Sequence, residues 1–135
     1  METFKSRYIS VPIDCPPDQV YEFASNPANL GKWATGLGAA RNVNGDWVAD
    51  SPIGKIKIRF AEKNKFGVLD HDVILESGEK FDNPMRVFAN GEGSELVFTL
   101  FKRGSMTDKM LDEDAKTVLK DLEKLKALLE HGNEQ

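Results

Sequence analysis

The sequence contains little of what disulfide frameworks, metal centres and nucleic-acid surfaces require. Among 135 residues there are one cysteine and two histidines. A single cysteine excludes a disulfide framework within the chain and suits a reducing compartment, so we expect a cytoplasmic protein. The formal net charge is −4, with 22 acidic and 18 basic residues. Because a phosphate-binding surface needs a basic patch, we expect no nucleic-acid partner.

Long apolar segments are also missing. The longest nearly apolar run covers residues 96–101, which is the length of a strand and far too short for a membrane span. Residues 1–8 include two basic side chains but no apolar stretch typical of a signal peptide. We therefore expect no stable membrane insertion. With 40% hydrophobic and 30% charged residues, the chain has the composition of a single globular domain over residues 1–135.

The strongest positive signal is a long amphipathic helix near the end of the chain. Apolar residues recur there at steps of four and three: Leu111, Ala115, Val118, Leu122, Leu125 and Leu129. Such a stripe has to be buried, and the preceding segments predict a sheet to bury it. Leu119 and Leu128 widen the stripe beyond a coiled-coil seam, which favours packing on a concave sheet. A monomer and a homodimer both remain open. Ser105 followed by Asp108 predicts a capping box at the start of this helix.

Alternating apolar and polar residues predict about seven strands before that helix. The predicted strands cover residues 4–13, 39–43, 46–50, 55–62, 68–76, 85–89 and 94–102. Pro16 and Pro17 suit the first turn of a helix after the first strand, and Asn26-Pro27 separates it from a second short helix. Asn44-Gly45 is typical of a tight hairpin. These elements predict the α+β class with an antiparallel sheet.

Several short motifs, together with this element order, resemble one known fold family. The motifs are IDCPPDQVYEF at residues 13–23, NLGKW at 29–33, GVLDHDV at 67–73, MRV at 85–87 and FTLF at 98–101. They resemble the START-like or helix-grip superfamily (SRPBCC), which includes birch-pollen allergens, polyketide cyclases/dehydrases and lipid-transport proteins. The resemblance implies a curved sheet wrapped around the long helix, with a cavity between them for an apolar ligand. It implies no particular catalytic residues.

His71 is the one candidate catalytic residue that the sequence offers. It shares alternation with Leu69 and Val73, so we expect it to face the core or cavity. A neutral imidazole there could hydrogen-bond a ligand carbonyl or act as an acid/base near neutral pH. The alternative is an internal histidine satisfied by the backbone, since no base partner is evident in the sequence.

Neither a metal site nor a reactive thiol is expected. Successive strand residues point to opposite faces, so Asp70 and Asp72 lie across the sheet from His71. We therefore predict no metal and no cofactor. Cys15 lies beside a helix N-terminus, where a thiol pKa can fall. With no neighbouring histidine in the sequence, a structural cysteine is the favoured interpretation.

Inward-facing positions predict the residues that bind a ligand. They are Ile58, Phe60, Leu69, His71, Val73, Met85, Phe98, Met110, Leu119 and Leu122. Trp33, Trp47 and Met106 are further candidates for the mouth of the cavity. Lastly, we expect Arg86 to point outward from its strand.

The predicted hairpins fix two registers. One places Ile58 opposite His71, with Lys57 opposite Asp72 and Arg59 opposite Asp70. The other places Met85 opposite Phe98, and Val87 opposite Leu96.

Three functions fit these expectations. The favoured one is binding of a small hydrophobic ligand, lipid-like or polyketide-like, without a cofactor. The second is an enzyme of the polyketide cyclase/dehydrase type that uses the same cavity. The third is a non-catalytic interaction module of the co-chaperone kind with a filled core. A cavity favours the first two over the third, and a polar group within it favours the enzyme.

Overall fold

The computed structural model describes residues 1–132, which form three α-helices and eight strands. The helices are α1 (Pro17–Ala24), α2 (Leu30–Trp33) and α3 (Asp108–His131), with a 3-10 turn at Pro27–Asn29 before α2. The strands are β1 (Ser6–Ile13), β2 (Arg41–Val43), β3 (Asp46–Ser51), β4 (Gly54–Phe60), β5 (His71–Leu75), β6 (Lys80–Asn83), β7 (Met85–Asn90) and β8 (Gly93–Phe101). The predicted α+β class is confirmed.

The strands form two antiparallel sheets. The first has the order β1-β8-β7, and the second has the order β2-β3-β4-β5-β6. The strand additional to the seven predicted is β6, which pairs with β5. Pro84 explains why β6 and β7 are separate, because it has no N–H to continue a ladder. Its carbonyl accepts from the Thr99 N–H at 2.9 Å, and the chain passes there from the second sheet to the first.

Two hairpins have the predicted geometry. Met85 pairs with Phe98 and Val87 with Leu96, which leaves Arg86 exposed opposite Val97. Between β2 and β3, the dihedral angle φ is 53° at Asn44 and 91° at Gly45. Two successive positive φ values are what a tight hairpin turn requires.

The predicted register between β4 and β5 is wrong by two residues. Phe60 pairs with His71 and Ile58 pairs with Val73. Lys57 lies opposite Ile74, and Arg59 lies opposite Asp72. A shift of two preserves alternation, so Ile58 and His71 still face inward as predicted.

The cause of the shift lies in residues 67–69. The Leu69 N–H donates to the Met85 carbonyl at 2.8 Å, and the Val87 N–H donates to the Gly67 carbonyl at 3.0 Å. These residues therefore pair with β7 of the first sheet, and β5 begins only at His71. The single predicted strand over residues 68–76 is in fact divided between the two sheets.

Helix α3 packs on β1 and β8 of the first sheet and against α1 and α2. Its cap is Thr107, whose hydroxyl accepts from the Met110 N–H at 3.1 Å, so the predicted capping by Ser105 is wrong. The fully buried stripe consists of Leu111, Leu122, Leu125 and Leu129. Within the described residues, no helix combines the length and apolar composition that crossing a bilayer would need.

The predicted widening of this stripe is wrong. Leu119 is 39% exposed and Leu128 is 38% exposed. Both lie beside the buried stripe that includes Leu122 and Leu125, and a helix packed on one side buries only a narrow stripe. The rest of α3 faces solvent or the space beneath the second sheet.

Candidate functional site

A cavity of about 370 Å³ lies between α3 and the second sheet. It exists because α3 rests mainly on the first sheet, and the inner side chains of β4 and β5 therefore have no close helical partner over part of their length. The walls are mainly apolar, and four elements and one loop contribute side chains that include Ile56, Ile58, Val73, Phe98, Leu37 and Leu122. The site is therefore an apolar space between the sheet and the long helix, as the sequence predicts.

The rim of the cavity is formed by the α2–β2 loop and the β3–β4 turn. Thr35, Pro52 and Ile53 line the space and are exposed, and Ile53 has 70% of its surface accessible. The loop is packed tightly against the start of α2, since a Cβ on Gly31 would lie 2.9 Å from the Gly38 carbonyl oxygen. A larger residue at position 31 would push this side of the rim outward.

His71 is the buried titratable group of the wall. Its Nδ1–H donates to the Leu69 carbonyl at 3.0 Å, and the ring lies 5.0 Å from Phe60 and 6.0 Å from Phe98, centroid to centroid. Burial lowers the pKa of His71, although the backbone bond and the nearby Asp70 and Asp72 oppose that shift. The imidazole is therefore neutral near pH 7, and its Nε2 is a hydrogen-bond acceptor. Among the described residues, Nε2 has no hydrogen-bond donor.

Trp33 supplies a second unpaired polar atom in the wall. The residue is 3% exposed and lines the cavity. Its Nε1–H is buried and has no acceptor among residues 1–132. Leaving a buried donor unpaired costs about 1–3 kcal/mol. The wall residues thus include an unpaired acceptor, Nε2 of His71, and an unpaired donor, Nε1–H of Trp33, which has almost no accessible surface.

Asp121 is a carboxylate at the edge of the cavity. It lies on α3 between Val118 and Leu125, is half-buried, and lines the space. The Thr35 N–H donates to its Oδ1 at 3.0 Å, and the Thr35 hydroxyl donates to the same oxygen. Burial raises the pKa of Asp121, while the bonds from Thr35 partly counter the rise. This pair also ties the rim loop to α3.

The structure brings together five of the ten residues predicted to bind a ligand: Ile58, His71, Val73, Phe98 and Leu122. Phe60 does not line this cavity but contacts the His71 ring. Leu69 and Met85 are fully buried core residues away from the cavity wall. They are removed from it because residues 67–69 pair with β7 in the first sheet.

The inward placement of Met110 and Leu119 is wrong. Met110 is 47% exposed and Leu119 is 39% exposed. Met110 lies in the first turn of α3, and Leu119 lies beside the buried stripe. Apolar character predicts that both are buried, but it does not distinguish the sheet-facing side of a helix from its border.

Sequence reasoning missed most of the rim and the carboxylate of Asp121. The rim residues belong to irregular segments, where alternation and helical periodicity carry no information. The sequence did contain an indication for Asp121, because its spacing of three residues after Val118 and four before Leu125 places it at the border of the apolar stripe. A charged residue at the border of a buried stripe indicates either a partner or a functional role.

The other reactive residues have structural partners. Asp70 accepts from the Met85 N–H at 2.9 Å and from both Nε and Nη2 of Arg86, at 3.1 and 2.9 Å. Cys15 is buried, and its Sγ donates to the Leu129 carbonyl at 3.5 Å. Across residues 1–132, no three His, Cys, Asp or Glu side chains converge in a way that would hold a metal ion.

Comparison with known proteins shows the fold. The sequence matches no family model and no curated protein. Among solved structures, DynU16, a protein of the dynemicin biosynthetic locus, has a TM-score of 0.71 at 18% identity, over 94% of this chain and 48% of that one. Ara h 8.0201 has a TM-score of 0.70 at 12% identity, covering 94% of this chain and 98% of its own.

A third likeness is to the Aha1 dimer from Colwellia psychrerythraea. Its TM-score is 0.68 at 17% identity, over 93% of this chain and 96% of the other. These likenesses confirm the predicted helix-grip fold. At such low identities they establish the fold alone.

Proposed function

We propose that this protein binds a small hydrophobic ligand in the cavity between α3 and the second sheet. The observation that carries the proposal is an apolar space of about 370 Å³ whose wall includes the buried rings of Trp33 and His71. Binding sites for small molecules are mostly apolar, have volumes of roughly 300–1,000 Å³ and contain a few polar groups that fix orientation. The cavity has each of these properties.

His71 is the polar group of the wall that we propose orients the ligand. Its neutral Nε2 accepts a hydrogen bond, so the proposed ligand carries a donor on an apolar body. A lipid-like or polyketide-like molecule with a hydroxyl has this pattern. The same cavity weighs against an interaction module with a filled core, because such a module needs no accessible internal space.

A neutral apolar dye such as N-phenylnaphthylamine tests the proposal by fluorescence titration. We expect saturable binding to the wild-type protein. Val73→Trp fills the cavity from β5 and should weaken binding strongly. Ile74→Trp is the matched control, because residue 74 is the next on the same strand, faces the opposite side and does not line the cavity. Equal binding by both variants would locate the dye elsewhere and contradict the proposal.

Native mass spectrometry of protein purified from its own host identifies the natural ligand. We expect a non-covalent adduct of one small molecule, reduced in Val73→Trp and retained in Ile74→Trp. An adduct unaffected by Val73→Trp would belong to another surface.

The second candidate function is catalysis by His71 in the same cavity. The observation that favours it is a neutral, oriented imidazole whose Nε2 is unpaired beside the cavity. A general acid or base contributes about 10²–10⁴-fold to a rate. If His71 is catalytic, His71→Ala lowers the turnover of a polyketide-like substrate by that factor. If His71 only binds, the variant weakens polar ligands more than hydrocarbons, and no turnover is detected in either protein.

A further inference from the structure

We propose that the cavity selects apolar ligands that carry a protonated amine and rejects those that carry a carboxylate, with Asp121 as the residue that makes the selection. The inference rests on the proposed binding function and deepens it, because it names the charge of the ligand. It depends on three features: the charges present in the wall, the bonding of Asp121, and the position of Asp121 at the rim.

The charge inventory of the wall is the first feature. Among residues 1–132, no lysine or arginine lines the cavity, and Asp121 is the one ionisable acid that does. The remaining polar groups of the wall are neutral, namely Ser51, Thr35, the Trp33 indole and the His71 imidazole. Arg86, the basic residue whose inward placement would have suited a carboxylate ligand, is exposed and paired with Asp70. A carboxylate in this cavity would meet a negative charge with no cation to offset it.

The bonding of Asp121 is the second feature. Both hydrogen bonds from Thr35 end on Oδ1, and Oδ2 has no donor within the described residues. Lys120 and Lys124 lie near Asp121 on α3, but neither forms an ion pair with it, and both are exposed. Asp121 is therefore a half-buried carboxylate with one oxygen available and no ion pair to any cation of the described part of the chain. A half-buried carboxylate without an ion pair favours a cationic partner.

The position of Asp121 is the third feature. It contributes to the wall beside the exposed rim residue Thr35, while Trp33, Ile58 and His71 are buried in the same wall. A ligand whose apolar body contacts the buried residues can place a terminal amine next to Oδ2. The ammonium group then keeps part of its hydration at the rim, which reduces the cost of taking a charge out of water.

The experiment compares three ligands with the same chain and different head groups. Octylamine, octanol and octanoate displace N-phenylnaphthylamine at neutral pH, where the amine is protonated and the acid is ionised. For the wild-type protein we expect octylamine to compete best and octanoate worst. An octanoate that competes as well as octylamine overturns the inference without any variant.

Two variants assign the preference to Asp121. Asp121→Asn keeps an oxygen for Thr35 but removes the charge. The preference for octylamine over octanol should therefore fall about fivefold, the factor that corresponds to an ion pair of ~1 kcal/mol. Octanoate should compete better with this variant. Glu123→Gln removes the same charge from an exposed position on α3 that does not line the cavity, and should leave the preference unchanged.

The outcomes separate the inference from the proposed function. If octanol displaces the dye but octylamine shows no advantage, binding stands and the selection by charge is wrong. If the preference changes equally in both variants, the general field of α3 is responsible and the role of Asp121 is wrong. If neither dye nor octanol binds, the proposed function fails and the inference falls with it.

Discussion

At the scale of single residues, His71 shows what a sequence pattern can predict and what only the structure reveals. Alternation along the strand correctly placed the ring on the inner face. It could not show that the Leu69 carbonyl would accept the hydrogen bond from Nδ1–H and leave Nε2 as the free acceptor. That detail follows from the chain crossing between sheets at residues 67–69, which depends on long-range pairing.

The burial of His71 predicts a pH dependence of stability. Because burial lowers its pKa from the ordinary 6.5, the unfolded chain takes up a proton at higher pH than the folded protein does. As the pH falls through 6.5 toward the lowered pKa, the unfolded state is favoured, by up to about 1.4 kcal/mol per pH unit. Urea unfolding between about pH 7.5 and pH 5 should show a smaller loss of stability in His71→Asn than in the wild type. Parallel pH profiles would show that His71 takes up its proton equally in both states.

Asp70 is predicted to cause a second pH dependence of stability, at a lower pH than that of His71. Although burial alone would raise its pKa, the hydrogen bonds from Arg86 and the Met85 N–H hold the pKa of Asp70 below 3.8. Its stabilising effect is therefore complete above the unfolded pKa of 3.8 and disappears as the pH falls through the lower folded value. Asp70→Asn should cost about 1 kcal/mol or less at neutral pH, since the pair is partly exposed. The difference from wild type should vanish in acid.

Asp72→Asn is the control for that measurement. Asp72 lies on the same outer face two residues away, and its nearest cation is Lys80 at 4.0 Å. We expect little loss of stability at any pH. A loss as large as that of Asp70→Asn would mean that the bidentate contact with Arg86 is not the source of the effect.

At the scale of elements, the sequence predicted the length of α3 well and the width of its buried face less well. Its length, its buried stripe and its end near His131 follow from apolar spacing. The width of the stripe does not, because spacing cannot show that α3 rests on only one of two sheets. The same limitation applies to β6, because the sequence predicted a strand at residues 85–89 but none at residues 80–83. Which sheet each strand joins is decided by partners distant in the chain.

Matched truncations on α3 test the corrected face. Leu122 is fully buried and Leu119 is 39% exposed, although both are leucines in the middle of the same helix. Leu122→Ala should lower the free energy of unfolding by about 2–5 kcal/mol, because it removes buried apolar contacts and enlarges a cavity. Leu119→Ala should cost well under that. Denaturant melts giving equal losses would mean that the orientation of α3 is wrong.

At the scale of the whole molecule, the sequence predicted the helix-grip arrangement and the existence of a cavity, through element order and short motifs. Half of the ten residues that it predicted to bind a ligand line this cavity, and these five lie on regular strands and helices with clear periodicity. The rim, and with it Thr35 and Asp121, lies where the chain is irregular or where a polar residue borders an apolar stripe. We propose that the charge of Asp121 selects the ligand. This residue was therefore the part of the site that the sequence indicated least clearly.

The location of a bound apolar molecule tests the central claim most directly. Backbone amide NMR spectra of labelled protein, titrated with octanol, report which residues sense the ligand. The cavity account predicts saturable shifts concentrated at Ile58, Val73 and Leu122, with little change at the exposed Met110 and Leu119 on α3. Shifts concentrated at Met110 and Leu119, or small changes spread evenly over the surface without saturation, would contradict it.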